Sequence, residues 1–366
     1  MNRLWWTQIK GVLRLELKKT LLAKRGLWIY FLAASPVLIF IAFTFAMSAH
    51  RSRMEDLSRH SDKQLTYSDL QAVQPGMTKE EVIAMLGKPS IRWQYTENRP
   101  IGPHTTENLL HEHLSYSDGQ DDLQLDLSDG KVDSINIQTG DNRGQDSVMF
   151  AGIFQFFFLR LVVFFGCLGI FMNLFRGEVL DHSLHFYFLA PVRREVVMVG
   201  KFIAGLLATC IIFVTSEILQ TAAFLWHFSP GVRELYLYQN HGLTQAFQYV
   251  GITMLACVGY GALFLVAGML FRNPIPPAAM VLIWEAINPF LPSVLKQISV
   301  IYYLKALCPV NVPSSQGTPA LLALLVSTSE PISAPLAVLG LLTVSLLAVC
   351  ISGIQVRRME INYTTE

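Results

Sequence analysis

The chain has 366 residues, of which 52% are hydrophobic and 15% are charged, whereas about 25% of the residues in a soluble domain are charged. This composition excludes an ordinary soluble protein and indicates a membrane protein. The formal net charge of +1 excludes nothing, because the charges are segregated along the chain and their positions matter more than their sum.

Residues 5–24 have the pattern of an amphipathic helix. Apolar positions form one stripe and basic positions the neighbouring one: Ile9, Leu13, Leu17 and Leu21 beside Lys10, Arg14 and Lys18. Trp5 and Trp6 suit the headgroup level of a bilayer. We therefore expect the helix to lie in the membrane interface, and packing on a soluble protein core is the alternative.

The first apolar run, about Leu27 to Ala46, is long enough to cross a hydrocarbon core of about 30 Å. Pro36 is a candidate kink within it. Basic residues are denser before the run than after it: Lys18, Lys19, Lys24 and Arg25 against Arg51 and Arg53. The positive-inside rule places the N-terminus in the cytoplasm, and the poor cleavage-site match predicts an uncleaved signal anchor.

Residues 51–147 are polar and predict a separate domain on the outer side of the membrane. We expect a linker at 51–63, a helix at Tyr67–Val73, and a second helix after Thr78, where Glu81 completes a capping box. Strands are predicted at Arg92–Tyr95, His113–Tyr116, Leu123–Leu127 and Val132–Ile137, with Asp129-Gly130 as a hairpin turn. The expected fold is two small helices on an antiparallel sheet.

One string in this domain carries a family resemblance. It begins VQPGMTKEEV at Val73, continues with LGKP at Leu86 and a Trp-x-Tyr at Trp93, and closes on DGKV at Asp129. The string resembles the BamE/SmpA-like domain family, which implies a module that binds or holds envelope proteins and has no catalytic role. His104, His111 and His113 offer a metal site as the alternative, but no further ligand is evident, and exposed histidines are the favoured interpretation.

Further apolar runs complete a predicted bundle of six transmembrane helices: Met149–Leu174, Phe202–Trp226, Phe247–Phe271, Ile275–Leu291 and Ile332–Ile354. Residues 293–331 predict outer-face or partly re-entrant helices. The fold class is an α-helical polytopic membrane protein with an N-terminal interfacial elbow helix and a small α+β domain between the first and second spans. Basic residues mark its inner ends and return the C-terminus to the cytoplasm: Arg176, Arg193, Arg194, Lys201, Arg272, Arg357 and Arg358.

The predicted domains are 1–50, with the elbow helix and first span, 51–147, the extracytoplasmic domain, and 148–366, the remaining spans. Arg160, Glu217 and Glu285 are the ionisable residues within the predicted spans. Such residues normally face the bundle interior and find a partner. Because Arg160 and Glu217 fall at overlapping depths of adjacent spans, we predict an ion pair between them, with a substrate-contacting role as the alternative.

The inner loop, residues 175–201, lies between the second and third predicted spans. Residues 179–188 suit a short amphipathic helix on the cytoplasmic face, and Pro191 marks a break after it. An ordinary loop held by basic anchors is the alternative. The chain nevertheless resembles the permease family of type-2 ABC transporters, through its basic elbow ending in Lys24-Arg25-Gly26, the inner-loop strings RGE at Arg176 and LAPVRR at Leu189, and the sequence Gly200-Lys201-Phe202.

The resemblance implies that the inner loop forms a coupling helix that docks on a separate ATPase subunit. The residues that would carry the contact are Arg176, Glu178, Leu180, Leu184, Leu189, Pro191, Arg193 and Arg194. The chain has no GxxxxGK[ST] phosphate loop, so we expect ATP and Mg to bind the partner subunit and no cofactor to bind here. We predict a transport subunit without enzymatic activity of its own.

The resemblance further implies a permease homodimer or heterodimer, contact with membrane lipids and no nucleic-acid partner. It places the protein in a bacterial inner membrane, with both termini cytoplasmic, and export is the usual direction in the family. The alternative function is a membrane-anchored envelope receptor or scaffold whose outer domain binds a protein partner. An enzyme within the membrane is disfavoured, because the bundle has neither HExxH nor GxSxG.

Overall fold

The structure is a computed structural model and describes residues 2–22, 26–59, 63, 65–102, 105–118, 121–139, 143–174, 193–239, 241–271, 273, 275–310, 312 and 332–358. The first part of the chain contains α1 (Asn2–Leu22), α2 (Leu27–Arg59), α3 (Tyr67–Gln71) and α4 (Lys79–Leu86). Then follow the strands β1 (Ile91–Gly102), β2 (Thr105–Ser117), β3 (Asp121–Ser128) and β4 (Lys131–Thr139).

The second part of the chain is helical wherever regular elements are described. It contains α5 (Arg143–Gly152), a π-helix (Ile153–Val163), α6 (Phe164–Phe171), α7 (Arg194–Trp226), α8 (Pro230–Glu234), a π-helical turn (Leu235–Gln239) and α9 (Gly242–Leu270). It continues with α10 (Ile275–Ile287), a 3-10 turn (Asn288–Phe290), α11 (Ser293–Lys296), α12 (Val300–Leu307) and α13 (Ala334–Arg358).

Within the described residues, five helical stretches are long and apolar enough to cross a membrane. They are Leu27–Ala49, Gly144–Leu174, Arg194–Trp226, Gly242–Leu270 and Ala334–Arg357. They match five of the predicted apolar runs, and the chain is a multi-pass membrane protein.

The remaining predicted span, Ile275–Leu291, is an α-helix only over Ile275–Ile287, which is 13 residues. The chain then tightens into the 3-10 turn Asn288–Phe290, where Pro289 has no N–H to continue the α-helical hydrogen bonds. A helix of that length is shorter than the about 20 residues that a straight crossing needs, so six crossings stay a prediction. The amphipathic N-terminal helix is present as α1, and its place in the membrane interface also stays a prediction.

One compact unit contains most of the long helices: Met1–Ile41, Ser147–Phe224 and Glu234–Glu366. Its centre is aromatic, and the ring of Phe164 lies 5.4 Å from Tyr260 and 5.0 Å from Phe264, edge to face in both pairs. Gly261 lets α6 and α9 approach, because a Cβ at this position would lie 2.6 Å from the ring of Phe171. Small residues allow such close helix contacts in membranes, where burial of apolar surface alone gives little drive for association.

The other compact unit comprises Ala42–Asp146 with Leu225–Arg233. Its sheet is antiparallel throughout, in the strand order β1-β2-β3-β4. Alternation along β3 buries three leucines completely, Leu123, Leu125 and Leu127. They pack with Val82 and Leu86 of α4 in the core of the unit, as expected for a sheet with one buried face.

Local signals for this sheet unit are confirmed in detail. The hydroxyl of Thr78 accepts the N–H of Glu81, and the Glu81 carboxylate accepts the N–H of Thr78 at 2.9 Å, which completes the predicted capping box. The turn between β3 and β4 is Asp129-Gly130, with φ of 51° and 77°. Both residues are therefore in the left-handed region that a tight two-residue hairpin requires.

The borders of these elements differ from the sequence expectations. The first apolar helix does not end near Ala46, and residues 51–59, predicted as a linker, continue it to Arg59. The strands are longer than their apolar cores, because β1 and β2 pair as far as Gly102 and Thr105. Backbone hydrogen bonding continues beyond the residues in which apolar and polar side chains alternate. The apolar pattern therefore predicted only the part of each strand that packs in the core.

Candidate functional site

The predicted coupling segment lies largely outside the described residues. Arg176, Glu178, Leu180, Leu184, Leu189 and Pro191 all fall in residues 175–192. Arg193 and Arg194 are described and exposed at the beginning of α7. The carbonyl of Arg193 accepts the N–H of Val196 at 2.9 Å, and α7 begins at Arg194, within the inner loop as it was predicted.

The first turns of α7 are joined to α1 by a buried ion pair. Lys201 Nζ lies 2.7 Å from Glu16 Oε1, and the two side chains are 0% and 3% exposed. The same ammonium group donates to the carbonyl of Leu174 at 3.0 Å, the last described residue before position 175. One side chain thus connects three segments.

Two further contacts hold the same end of α7. Glu195 forms an ion pair with Arg357 near the end of α13. A Cβ placed on Gly200 would lie 3.0 Å from Val12 Cγ1, so α1 passes close to the backbone of α7. Residues 195–201, the C-terminal part of the inner loop, consequently contact both α1 and α13.

The predicted ion pair between Arg160 and Glu217 is wrong for the described structure. Glu217 is fully buried, but its carboxylate accepts hydrogen bonds from Gln220 and Thr221 on its own helix. The carboxylate within electrostatic range of Arg160 belongs to Glu285. The prediction was based on the similar depth of the two residues in the membrane. Contact also depends on the direction in which each side chain leaves its helix.

Glu285 joins three helices. Its Oε2 accepts the hydroxyl of Tyr260 at 2.7 Å, and its Oε1 accepts the N–H of Ile301 at 3.4 Å. Ile301 lies in the first turn of α12, whose N-cap residue Ser299 makes no side-chain cap bond. A carboxylate is the preferred group at a helix N-terminus. Glu285 of α10 therefore caps α12 and ties both helices to α9.

Arg160 lies in the π-helical stretch Ile153–Val163 of the second apolar helix and is 8% exposed. Its guanidinium carbon lies 5.9 Å from the centre of the Phe156 ring, and Lys305 Nζ of α12 lies 6.0 Å from the same ring centre. Its Nε has no hydrogen-bond acceptor among the described residues. Gln155 of the same stretch donates to the carbonyl of Val310 at 3.1 Å.

The sheet unit carries an aromatic face formed by Trp93, Tyr95, His111 and His113, in which the first two are exposed and the histidines are half-buried. The rings of Trp93 and Tyr95 stack 5.6 Å apart, and each is 50% exposed. Each also packs 5.0 Å from the histidine opposite it on β2. The aromatic face lies on the side of the sheet opposite the leucine core, because alternate residues of a strand point to opposite faces.

Both histidines of the aromatic face have polar partners on β3. His113 Nδ1 lies 2.7 Å from Asp126 Oδ1, and this contact holds the pKa of the Asp126 carboxyl below its usual value. His111 Nδ1 lies 3.1 Å from Ser128 Oγ. His104 lies outside the described residues. The two described histidines are thus parts of cross-strand ladders.

A charged cluster lies on the opposite, helix-covered side. Glu112 is 5% exposed and contacts Lys79 Nζ of α4 at 2.5 Å and Arg92 of β1 at 3.1 Å. The hydrogen bond from Lys79, reinforced by Arg92, lowers the pKa of Glu112 against the effect of burial. Sequence reasoning missed this cluster and the Lys201–Glu16 pair, because both join residues far apart in the chain that no motif relates.

Residues 63–100 match the Outer membrane protein assembly factor BamE domain. The match includes α3, α4 and nearly all of β1, and so contains the capping box, Trp93 and Tyr95. No curated protein matches the chain. The helices and this match together describe a multi-pass membrane protein that carries a BamE-type domain between its first two apolar helices.

Proposed function

We propose that this chain is the permease subunit of an ATP-driven ABC transporter, an exporter coupled through residues 175–201 to a separate ATPase subunit. The observation that carries the proposal is the anchoring of the first turns of α7, which form the C-terminal part of that segment. Lys201 is bonded to Glu16 and to the carbonyl of Leu174, and Glu195 is paired with Arg357. A push on the segment therefore moves α7 together with α1 and α13, as a lever in alternating access requires.

In this proposal the chain crosses a bacterial inner membrane six times and both termini lie in the cytoplasm. Helix α1 is an interfacial elbow helix, and the extracytoplasmic domain has its borders at residues 50 and 147. The BamE-type domain then lies outside the inner membrane. One such subunit encloses half a pathway, so the complex is a homodimer or heterodimer of permeases with two ATPase subunits, which bind ATP and Mg.

The test reverses one charge in the segment. The variant E178K, and separately L180P, should insert normally into the membrane but lose stimulation of the ATPase activity of the co-expressed partner. The matched control is E80K, the same charge reversal at an exposed position of α4. Co-purification of an ATPase with the wild type, its loss in E178K and its retention in E80K support the proposal. Equal ATPase stimulation in all variants refutes it.

A second candidate function is an envelope scaffold whose BamE-type domain holds a protein partner. The match over residues 63–100 and the exposed aromatic face favour it. Aromatic residues are enriched at protein interfaces because they bring large contact areas at a low entropic cost. A photo-crosslinking amino acid at Trp93 should capture one partner in cells, whereas the same group at the exposed Asp133 of β4 should not. Capture at both positions or at neither would remove this candidate.

A further inference from the structure

The π-helical stretch Ile153–Val163 is the feature of the bundle unit that packing does not explain. It is 11 residues long, whereas π-helical geometry normally appears as single turns and often marks functional sites. The stretch holds Gln155 and Arg160, which are 7% and 8% exposed. A polar pair of this kind is expensive in a membrane helix, and such residues normally line a path or a binding site.

The guanidinium group of Arg160 has unused hydrogen-bonding capacity. Its Nε is buried and has no acceptor among the described residues. The aromatic ring 5.9 Å away offers a cation–π contact but no acceptor in the plane of the guanidinium. A guanidinium presents its N–H groups in a rigid planar fork, and the groups that fit this fork are carboxylates and phosphates.

Glu285 does not fill that role. Both of its oxygens accept other hydrogen bonds, from the Tyr260 hydroxyl at 2.7 Å and from the N–H of Ile301 at 3.4 Å. It acts on Arg160 only through space. Lys305 Nζ lies 6.0 Å from the centre of the same Phe156 ring. The Nε–H of Arg160 therefore remains available to an acceptor on a bound molecule.

Apart from Gln155 and Arg160, the π-helical stretch consists of apolar residues. Phe154 and Phe158 are fully buried neighbours on the same stretch, with ring centres 5.5 Å apart, and Phe154 packs 4.6 Å from Tyr249 of α9. A small hydrated anion would lose its water shell at such a site without recovering it. A molecule with an apolar body and one anionic group could keep the body against the aromatic rings.

We propose that Arg160 binds the head group of an anionic amphiphile within the bundle unit, by a charge-assisted hydrogen bond to a phosphate or carboxylate. The existence of this binding site is argued from Arg160 and its surroundings alone. That such amphiphiles are the cargo of the transporter rests on the proposed function.

The test measures binding of one anionic lipid to the purified full chain, without ATP or an ATPase subunit. Phosphatidylglycerol is titrated into protein in neutral detergent, and affinity is read from the rise in unfolding temperature that a ligand of the folded state produces. Phosphatidylcholine, which carries no net charge, and inorganic phosphate, which has no apolar body, are the comparison probes. The variants are R160M and E285Q.

The two variants should change affinity in opposite directions. R160M should weaken phosphatidylglycerol binding by about tenfold or more, as expected for loss of one hydrogen bond to a charged group. E285Q should tighten it, because the repelling charge is gone, while the amide oxygen can still accept the N–H of Ile301 and the amide NH2 can donate to the Tyr260 oxygen. Phosphatidylcholine should bind weakly to all forms, and inorganic phosphate should not compete.

Four outcomes overturn the inference. They are unchanged phosphatidylglycerol affinity in R160M, weaker binding in both variants, equal affinity for the two lipids, and effective competition by inorganic phosphate. If R160M does not fold, E285Q decides alone, because a purely structural role of this cluster cannot tighten lipid binding. ATPase stimulation is measured separately, so loss of the lipid site leaves the coupling proposal intact, and the reverse also holds.

Discussion

Replacing Lys201 with Met should destabilise the bundle unit strongly, because it removes the cation of a buried ion pair. The side chains of the pair are 0% and 3% exposed and lie 2.7 Å apart. Removing one partner of a buried pair costs about 3–5 kcal/mol. Loss of the bond to the carbonyl of Leu174 adds about 1 kcal/mol. The expected loss for K201M is therefore about 4–6 kcal/mol.

The double variant K201M/E16L is the decisive comparison. It removes both charges and leaves an apolar contact between α1 and α7, and such replacements of buried pairs are often neutral or stabilising. It should recover most of the stability that K201M loses, so that the two substitutions are far from additive. Equilibrium unfolding in mixed micelles, followed by tryptophan fluorescence, measures all four members of the cycle.

The outcome also tests the mechanical role of the pair. The double variant restores stability but not the polar link from Lys201 to Leu174, so it should fold well and couple poorly to an ATPase. K201M as stable as the wild type, or additive losses in the double variant, would refute the reasoning, because the pair would then carry no energetic coupling. R14M is a suitable control, since Arg14 is an exposed cation on α1, the helix that also carries Glu16.

Three further predictions concern single contacts. The lowered pKa of Glu112 gives stability that is present above the ordinary Glu range of about 4.3 and is lost as pH falls through the folded pKa, so the acid unfolding midpoint should rise in K79M. Gly200→Leu should cost about 1–3 kcal/mol by overpacking against α1, whereas Gly251→Ala, with open space around it, should be neutral or stabilising in thermal unfolding. Thr78→Ala removes the cap of α4 and should cost about 1 kcal/mol in denaturant titrations, and a loss below about 0.3 kcal/mol would contradict the capping role.

The sheet unit was predictable because its signals are local. The capping box at Thr78, the alternation in Leu123–Leu127 and the turn at Asp129-Gly130 each involve residues within a few positions of each other. Register then follows, since slipping β3 by one residue would turn its leucines to the exposed side. Strand ends were missed because backbone pairing extends beyond the side chains that pack.

The positions of the long apolar helices could be predicted from the sequence, but the contacts between their polar side chains could not. Hydropathy identifies an apolar run, but it does not say which face of one helix meets which face of another. The direction of the Arg160 side chain is especially hard to predict, because the residue lies in a π-helical stretch. Hydrogen bonding from i to i+5 changes the angle between successive side chains. Depth counting consequently paired Arg160 with Glu217, whose carboxylate is hydrogen-bonded within its own helix.

The buried charged residues of the bundle unit divide into two groups by what they contact. Lys201 bonds the carbonyl of Leu174 and the carboxylate of Glu16, Glu285 caps α12, and Glu217 bonds its neighbours on α7. Each of these has a packing role that accounts for its cost in an apolar environment. The guanidinium carbon of Arg160 lies 5.9 Å from the centre of the Phe156 ring, and its Nε has no acceptor among the described residues. Since an intramembrane arginine is costly unless something compensates it, and the described protein groups do so only at a distance, the compensating group is best sought in a bound molecule.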